Sequence, residues 1–439
     1  MFRIREFVKS KKVLVLLSAF MVGLFAFSAV SCSSGKTGKV TITYMMWGTP
    51  GERETVESYL EAFKKVHPEI NVKLIHVTTD YYTKLQTMFG GGTPPDVMYI
   101  SVERFPFFAE KDSFYPLDEF ADANFTSGFF PELLRAFTWR GKLYGIPKDF
   151  TTMVMYYNMD RFEEKGVPFP KEGWTWQDFL EDAKKLTEDV DGDGKPDYYG
   201  FTFETWVGML LPWIRQAGGR IVDDTGRFVM GVSPYLEKNS EALQFLHDLI
   251  YKYRVAPDPT VTSQQNPSGL FSTGKVAMAT YGRWYMMDLK DVSKFRWNVA
   301  PLPRYKKCST MLFTVAYAIA KNSKHPREAW ELIKFLTGPE GEKAVAESGQ
   351  AVPSRMDVAR SDYFLHSSLF PEHVDNSVFL KTLKCASSYP VALEWSKIEN
   401  IIARELDYVW TNEREIPDAL VRIQKQVEKE LGTSVVTPR

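Results

Sequence analysis

Apolar residues recur along this chain with two periods, and segments of the two kinds alternate. Val40, Ile42, Tyr44 and Met46 fall at every second position, as in a half-buried strand. Val56, Tyr59, Leu60, Phe63 and Val66 then fall at helical spacing, and His67-Pro68 ends that helix. Ile70, Val72 and Leu74 restart the period of two. Leu85, Met88 and Phe89 mark a second helix, and residues 96–100 a third strand. This β-α-β-α-β order predicts a largely parallel sheet with helices on both faces. Later segments are richer in helix. Thr175-Trp176-Gln177-Asp178 reads as a capping box ahead of Phe179, Leu180, Ala183 and Leu186. Leu243, Leu246, Leu249 and Ile250 form one further stripe, and Trp330, Ile333 and Leu336 another. Ile401, Leu406, Val409, Leu420, Ile423 and Val427 predict terminal helices.

The first residues read as an address. Arg3, Arg5, Lys9, Lys11 and Lys12 precede an apolar run of about 18 residues, long for a signal peptide and just long enough to span a bilayer. Ala29-Val30-Ser31-Cys32 follows, then a polar stretch to Lys39. Small residues before a Cys resemble the lipobox of bacterial lipoproteins, with Ala29 where that motif usually has Leu; a plain anchor helix is the alternative. The lipobox reading makes 1–31 a signal peptide, Cys32 the lipidated residue and 32–39 a tether.

Composition narrows the function. With 54 basic and 55 acidic residues the chain is no basic nucleic-acid binder, and removing the five basic residues and Glu6 of the leader leaves 49 against 54. At 439 residues it exceeds one compact core, so two lobes are expected. Gly90-Gly91-Gly92 leads into Thr93-Pro94-Pro95 and a strand instead of a helix, which makes it a turn, not a phosphate cradle. The six His residues lack zinc-site spacing, and no GxSxG occurs. Asp189, Asp191, Asp193 and Asp197, spaced by Gly192 and Gly194, match the first half of a calcium loop. Position twelve is Gly200 where a bidentate Glu belongs, and the alternative is a self-capping surface turn. Apart from this candidate calcium, no cofactor is expected.

Aromatic content is 14%, with 11 Trp. Sugars present flat C–H faces with a hydroxyl rim, so their sites pair aromatic platforms with carboxylates, amides or Arg. Trp47, Trp174, Trp176, Trp206, Trp213, Trp284 and Trp395 lie near Gly, Pro or strand ends, with Glu52, Glu204, Arg283 and Glu394 close in sequence. Singly each Trp reads as core; together they point toward sugar.

Several strings, in order, resemble the extracellular solute-binding proteins of carbohydrate ABC transporters, the maltose-binding-protein-like family 1. They are Thr93-Pro94-Pro95-Asp96-Val97, Leu143-Tyr144-Gly145-Ile146-Pro147, Tyr156-Tyr157-Asn158, Trp174-Thr175-Trp176, and Phe271-Ser272-Thr273-Gly274-Lys275 with Val276-Ala277-Met278. Gly282-Arg283-Trp284, Pro301-Leu302-Pro303 and Val352-Pro353-Ser354-Arg355 complete the set. The resemblance implies an α/β, two-lobed periplasmic-binding-protein fold with a ligand cleft between the lobes and a multi-strand hinge. Crossings are expected near 144–149, 299–303 and 349–353. One lobe is then 40–148 plus 303–349, and the other 149–302 plus 350–439. It further implies ligand contacts from Trp47, Trp284 and Trp395, with Asp96 and Asp149 beside them; the pairing of aromatic and polar residues adds Glu52, Trp206 and Arg283 to the expected contacts.

The expected function is a monomeric, non-enzymatic sugar or oligosaccharide receptor. It would be held by lipid on the outer side of the bacterial cytoplasmic membrane and deliver its ligand to the permease. A secreted glycoside hydrolase would use the same platforms but needs two carboxylates about 5–9.5 Å apart. A receptor for another solute, such as a glycerol-phosphate ester, should need more cations than Arg283 supplies. On these lobe limits Cys308 and Cys385 lie in different lobes. A bond between them would restrain opening, so two free thiols are expected.

Overall fold

The computed structural model describes residues 39–435. The expected signal peptide 1–31 and lipidated Cys32 lie outside the described residues. In chain order, β1 (Val40–Trp47), α1 (Pro50–Val66), β2 (Ile70–Val77), α2 (Tyr81–Gly90) and β3 (Val97–Ser101) follow the hydrophobic periods closely, and α3 (Phe105–Glu110) comes next. Then come β4 (Gly145–Thr152), β5 (Val154–Asn158), α4 (Trp176–Leu186), α5 (Val207–Gln216), α6 (Tyr235–Tyr251), β6 (Met278–Tyr281) and β7 (Trp297–Ala300). The chain continues through β8 (Thr310–Ile319), α7 (Pro326–Leu336), α8 (Pro339–Ser348), β9 (Val352–Pro353) and β10 (Ala386–Ser387), ending in α9 (Trp395–Trp410) and α10 (Ile416–Leu431). The capping box before α4 is present: the Thr175 hydroxyl accepts from the Asp178 amide, and the Asp178 carboxylate accepts from the Thr175 amide.

The main sheet runs β9-β4-β8-β3-β1-β2, with β10 beside the start of β8; β6-β5-β7 form a second sheet. The part read from consecutive strands is parallel as expected, β1 against β2 and β3, and the short β10 also runs parallel to the start of β8. β8 enters antiparallel between β3 and β4, a long-range pairing that no local period announces.

The fold is two-lobed, and its buried apolar side chains form two clusters. One holds Tyr44, Phe63, Leu85, Ile100 and Ile146, then Ala316 to Leu336 of β8 and α7. The other holds Phe150, Trp213, Leu243, Trp297, Met311 and Leu312, then Ala346, Ile402 and Val427. The chain thus changes cluster inside β4 and again inside β8, between Leu312 and Ala316. This second change comes later than the crossing expected at 299–303.

That placement overturns the expectation of free thiols. Cys308 and Cys385 form a disulfide, with Cα atoms 5.6 Å apart. The segment before β8 belongs with the second cluster: Gln216 Nε2 donates to the Ser309 carbonyl at 2.8 Å, and Thr310 and Met311 pair with Ala386 and Ser387. Both cysteines therefore lie on one side, and the bond does not span the two clusters.

Candidate functional site

The carboxyl ends of β1 and β3 and the two strands that change cluster, β4 and β8, converge on one region. At the end of β1 the Trp47 ring meets Tyr81, Tyr99 and Tyr82 at centroid distances of 4.8, 5.1 and 5.9 Å. The chain then turns at Gly48, with φ +147°, where an added Cβ would stand 2.9 Å from the Glu52 carboxylate. Glu52 closes the capping box of α1, accepting from the Thr49 amide at 2.6 Å.

Beside it lies a cavity of about 310 Å³ lined by Glu52, Tyr59, Tyr99, Lys148, Asp149 and Tyr317, with Met287 and Gln350 from the other side of the crossings. Lys148 Nζ pairs with the Asp149 carboxylate and lies 5.3 Å from the Tyr99 centroid. Burial works against the Lys148 charge, but Asp149, with Tyr317 and Glu52, outweighs it and holds the pKa above its ordinary value. Burial raises those of Tyr99 and Tyr317. The cavity therefore offers a fixed ion pair and neutral phenols, a donor-and-acceptor set suited to hydroxyls.

Asp149 pairs with Val315 across β4 and β8, and two residues further along Thr151 pairs with Phe313. The aromatic wall rises there. Trp206 and Trp284 lie 5.6 and 5.1 Å from the Phe313 ring, and each is 37% exposed. Among the described residues no other Trp is exposed, so these two have surface free for a ligand. Tyr389 packs on the far edge of Phe313 at 6.1 Å.

A third group joins the clusters directly. Arg104, following β3, donates to Glu399 of α9 at 3.4 Å and lies 5.6 Å from the Tyr82 centroid. Neighbouring Glu103 accepts from the Ser101 hydroxyl. Burial raises the pKa of both Glu103 and Glu399. Glu103, Arg104, Lys148, Phe313, Tyr389 and Glu399 escaped the sequence reading. The position of Glu103-Arg104 just past a strand's carboxyl end was the available signal, since open α/β sheets bind ligands there.

Of the expected contacts, Trp47, Glu52, Asp149, Trp206 and Trp284 lie in or beside this region. Three do not. Asp96 sits at the opposite end of β3, accepting from the Thr43 amide and hydroxyl and from Ser323. Arg283 is fully buried among Phe364, Phe370 and Phe379, its Nη1 paired with Asn376, and burial pushes its pKa down to about 9. Trp395 is 1% exposed and packs behind Tyr389. The structure does not bring these three to the cleft: Asp96 is bonded at the other end of its strand, and Arg283 and Trp395 are enclosed by protein. Trp174, Trp176 and Trp213 are likewise buried.

The acidic loop lies elsewhere. Oxygens of Asp189, Asp191 and Asp197 come within 4.8 Å of one another, without Asp193. Asp189 accepts from the Gly192 and Gly194 amides, Asp191 from Asp193, Asp193 from Lys195 and Asp197 from Val190. The carboxylates thus cap their own turns.

Near the third crossing Glu342 of α8 is fully buried and faces Ser354 and Arg355. The single Ser354 hydroxyl hydrogen lies between two oxygens, Pro147 O and Glu342 Oε1, each at 2.7 Å. Ser354 is thus the donor shared between the Pro147 carbonyl and the Glu342 carboxyl. Burial pushes the Glu342 pKa up to about 8, consistent with a neutral acid.

Residues 48–343 match the family described as bacterial extracellular solute-binding protein. An arabinooligosaccharide-binding protein of Bacillus subtilis is 27% identical over 78% of this chain and 80% of its own. A lipoprotein of Streptomyces antibioticus is 26% identical over 77% of this chain and 76% of its own. An ABC substrate-binding protein from Listeria monocytogenes, solved in complex with cycloalternan, superposes with a TM-score of 0.79 at 26% identity, covering 90% of this chain and 99% of that one.

Proposed function

The chain belongs to the family of bacterial extracellular solute-binding proteins, and from that premise we propose that its cleft captures a carbohydrate and presents it to an ABC transporter permease. The observation that carries this reading is the pair of exposed indoles, Trp206 and Trp284, flanking Phe313 beside the Lys148–Asp149 pair and Glu52. Indole faces cover the C–H faces of a pyranose or furanose ring, and the ion pair and carboxylate meet its hydroxyls. The sugar-binding relatives support the same ligand class.

Closure of the two lobes on the ligand follows from this layout. The walls hang from different clusters joined by β4, β8 and the segment before β9, so only a closed form lets both touch one sugar. An anionic solute is disfavoured, because the cations of this region, Lys148 and Arg104, are already paired with carboxylates. Cys32 would carry the lipid that keeps the receptor, as a monomer, beside its permease; the lipoprotein relative supports that anchor.

A thermal-shift screen of the exported chain against mono- and oligosaccharides, arabino-oligosaccharides among them and glycerol phosphates as controls, tests the reading. A sugar that raises Tm with concentration, without release of reducing ends, agrees with it. Stabilisation by glycerol phosphate alone, or turnover of an oligosaccharide, overturns it.

A further inference from the structure

Tyr389 stands on residues 388–392, a stretch without regular secondary structure between β10 and α9, yet it contacts both apolar clusters and the edge of Phe313. Its hydroxyl reaches beside the Trp206 ring, in a space open only because residue 208 is Gly: a Cβ there would stand 2.3 Å from the hydroxyl and 2.0 Å from the indole. A ring on an irregular segment needs its ends fixed to hold such a position.

One end is fixed by Trp395 at the start of α9, whose ring lies 5.4 Å from that of Tyr389. The other end is fixed three times over within a few residues. Cys385 is bonded to Cys308, β10 is paired with the first residues of β8, and Arg215 donates to the carbonyls of Ser387 and Ser388. The next residue of α5, Gln216, holds the Ser309 carbonyl. Phe313 lies five positions past Cys308 and Tyr389 four past Cys385, so the bond stands at the root of both aromatic supports. Cys308 is exposed, so the bond is also within reach of solvent.

We propose that the Cys308–Cys385 disulfide, together with Arg215, is a brace that positions Tyr389 against Phe313 and Trp206, so that the cleft's aromatic wall is set before ligand arrives. The inference rests on this cleft being the sugar site. A pre-set wall costs less ordering on binding than one that must first be assembled. The cysteines are positioning residues and touch no ligand themselves.

The test compares the full exported chain with its Cys308→Ala/Cys385→Ala variant. In the free proteins, hydrogen exchange should speed up across 386–394 in the variant and stay unchanged in β4 and β5; unchanged exchange at 386–394 overturns the brace. With arabinotriose and maltotriose as probes, the variant should bind roughly tenfold more weakly. In a Tyr389→Ala background the same two substitutions should add little, because effects passing through one residue are not additive. An equal loss in both backgrounds, or a lower Tm with unchanged affinity, means that the bond serves stability alone. If neither sugar binds the oxidised wild type, the ligand is another one and hydrogen exchange across 386–394 alone judges the brace. If the variant fails to fold, the folded wild type is reduced in place with a phosphine and exchange is measured on the same peptides. Faster exchange across 386–394 after reduction then supports the brace, and unchanged exchange there overturns it.

Discussion

Trp284 and Arg283 are consecutive, and their side chains meet opposite fates. The indole is 37% exposed against Phe313, while the guanidinium is fully enclosed by three Phe rings, its Nη1 donating to Asn376 and the Met286 sulfur. Trp284→Ala should therefore weaken sugar binding by ~1–3 kcal/mol with little change in Tm, read by titration calorimetry. Arg283→Met should do the reverse of what a ligand-holding Arg would. Affinity should hold, and Tm should stay level or rise, because a poorly paired buried charge replaced by an apolar chain of similar volume costs little, about 1 kcal/mol or less. A collapse of affinity in the Met variant would return Arg283 to the site. The sequence carried the types of both residues and their nearness to a strand end. It did not carry which way each points, because that depends on β8 and on the helices that supply the Phe rings, all remote in sequence. Trp395 misled for the same reason: its helix stripe fits a core position as well as a platform.

At the scale of single elements the local signals read well. The capping box of α4, the amphipathic stripes of α6, α7, α9 and α10 and the strands β1 and β2 all appear where the periods put them, although β1 buries Met45 as fully as Tyr44 and Met46 and so is covered on both faces there. β8 did not declare itself, although it supplies Phe313 and Tyr317, because a strand buried on both faces has no period of two. The acidic loop caps its own turns away from the cleft, so EDTA should leave the sugar Kd unchanged, and loss of binding on chelation would give the metal a functional role. Glu342 of α8 permits a pH prediction. Its pKa moves from the ordinary 4.5 to about 8 in the fold, so between those values the folded chain keeps a proton that the unfolded chain has released. Its contribution is fully present below about pH 4.5 and is lost as pH rises through 8, at up to about 1.4 kcal/mol per pH unit within that window. Thermal melts from pH 5 to 9 should show this decline in the wild type and a flatter profile in Glu342→Gln; parallel profiles would mean that the acid is ionised in the fold.

For the whole molecule, the relation between the two clusters governs function, and among the described residues an ion pair crosses between them outside the connecting strands. Arg104 follows β3, Glu399 lies on α9, and their side chains are 24% and 22% exposed, so solvent screens the pair only in part. Opening the lobes must separate these charges, and the pair therefore favours the closed arrangement before any sugar is present. A ligand that binds only the closed form gains from whatever fraction is already closed, since its apparent Kd is the intrinsic value divided by that fraction. Glu399→Gln removes the attraction while keeping the side chain's size. The free variant should be more open, seen as a larger radius of gyration in solution scattering. The sugar-bound variant should match the wild type in size, with an apparent Kd weakened roughly twofold to tenfold, as expected for a part-screened pair worth about 0.4–1.4 kcal/mol. Raising salt should weaken wild-type binding toward the variant's and leave the variant nearly unaffected. Should the bound forms differ in size, Glu399 would be contacting the ligand instead of biasing the lobes. Equal radii in the free proteins would mean that the pair plays no part in setting how far the cleft stands open.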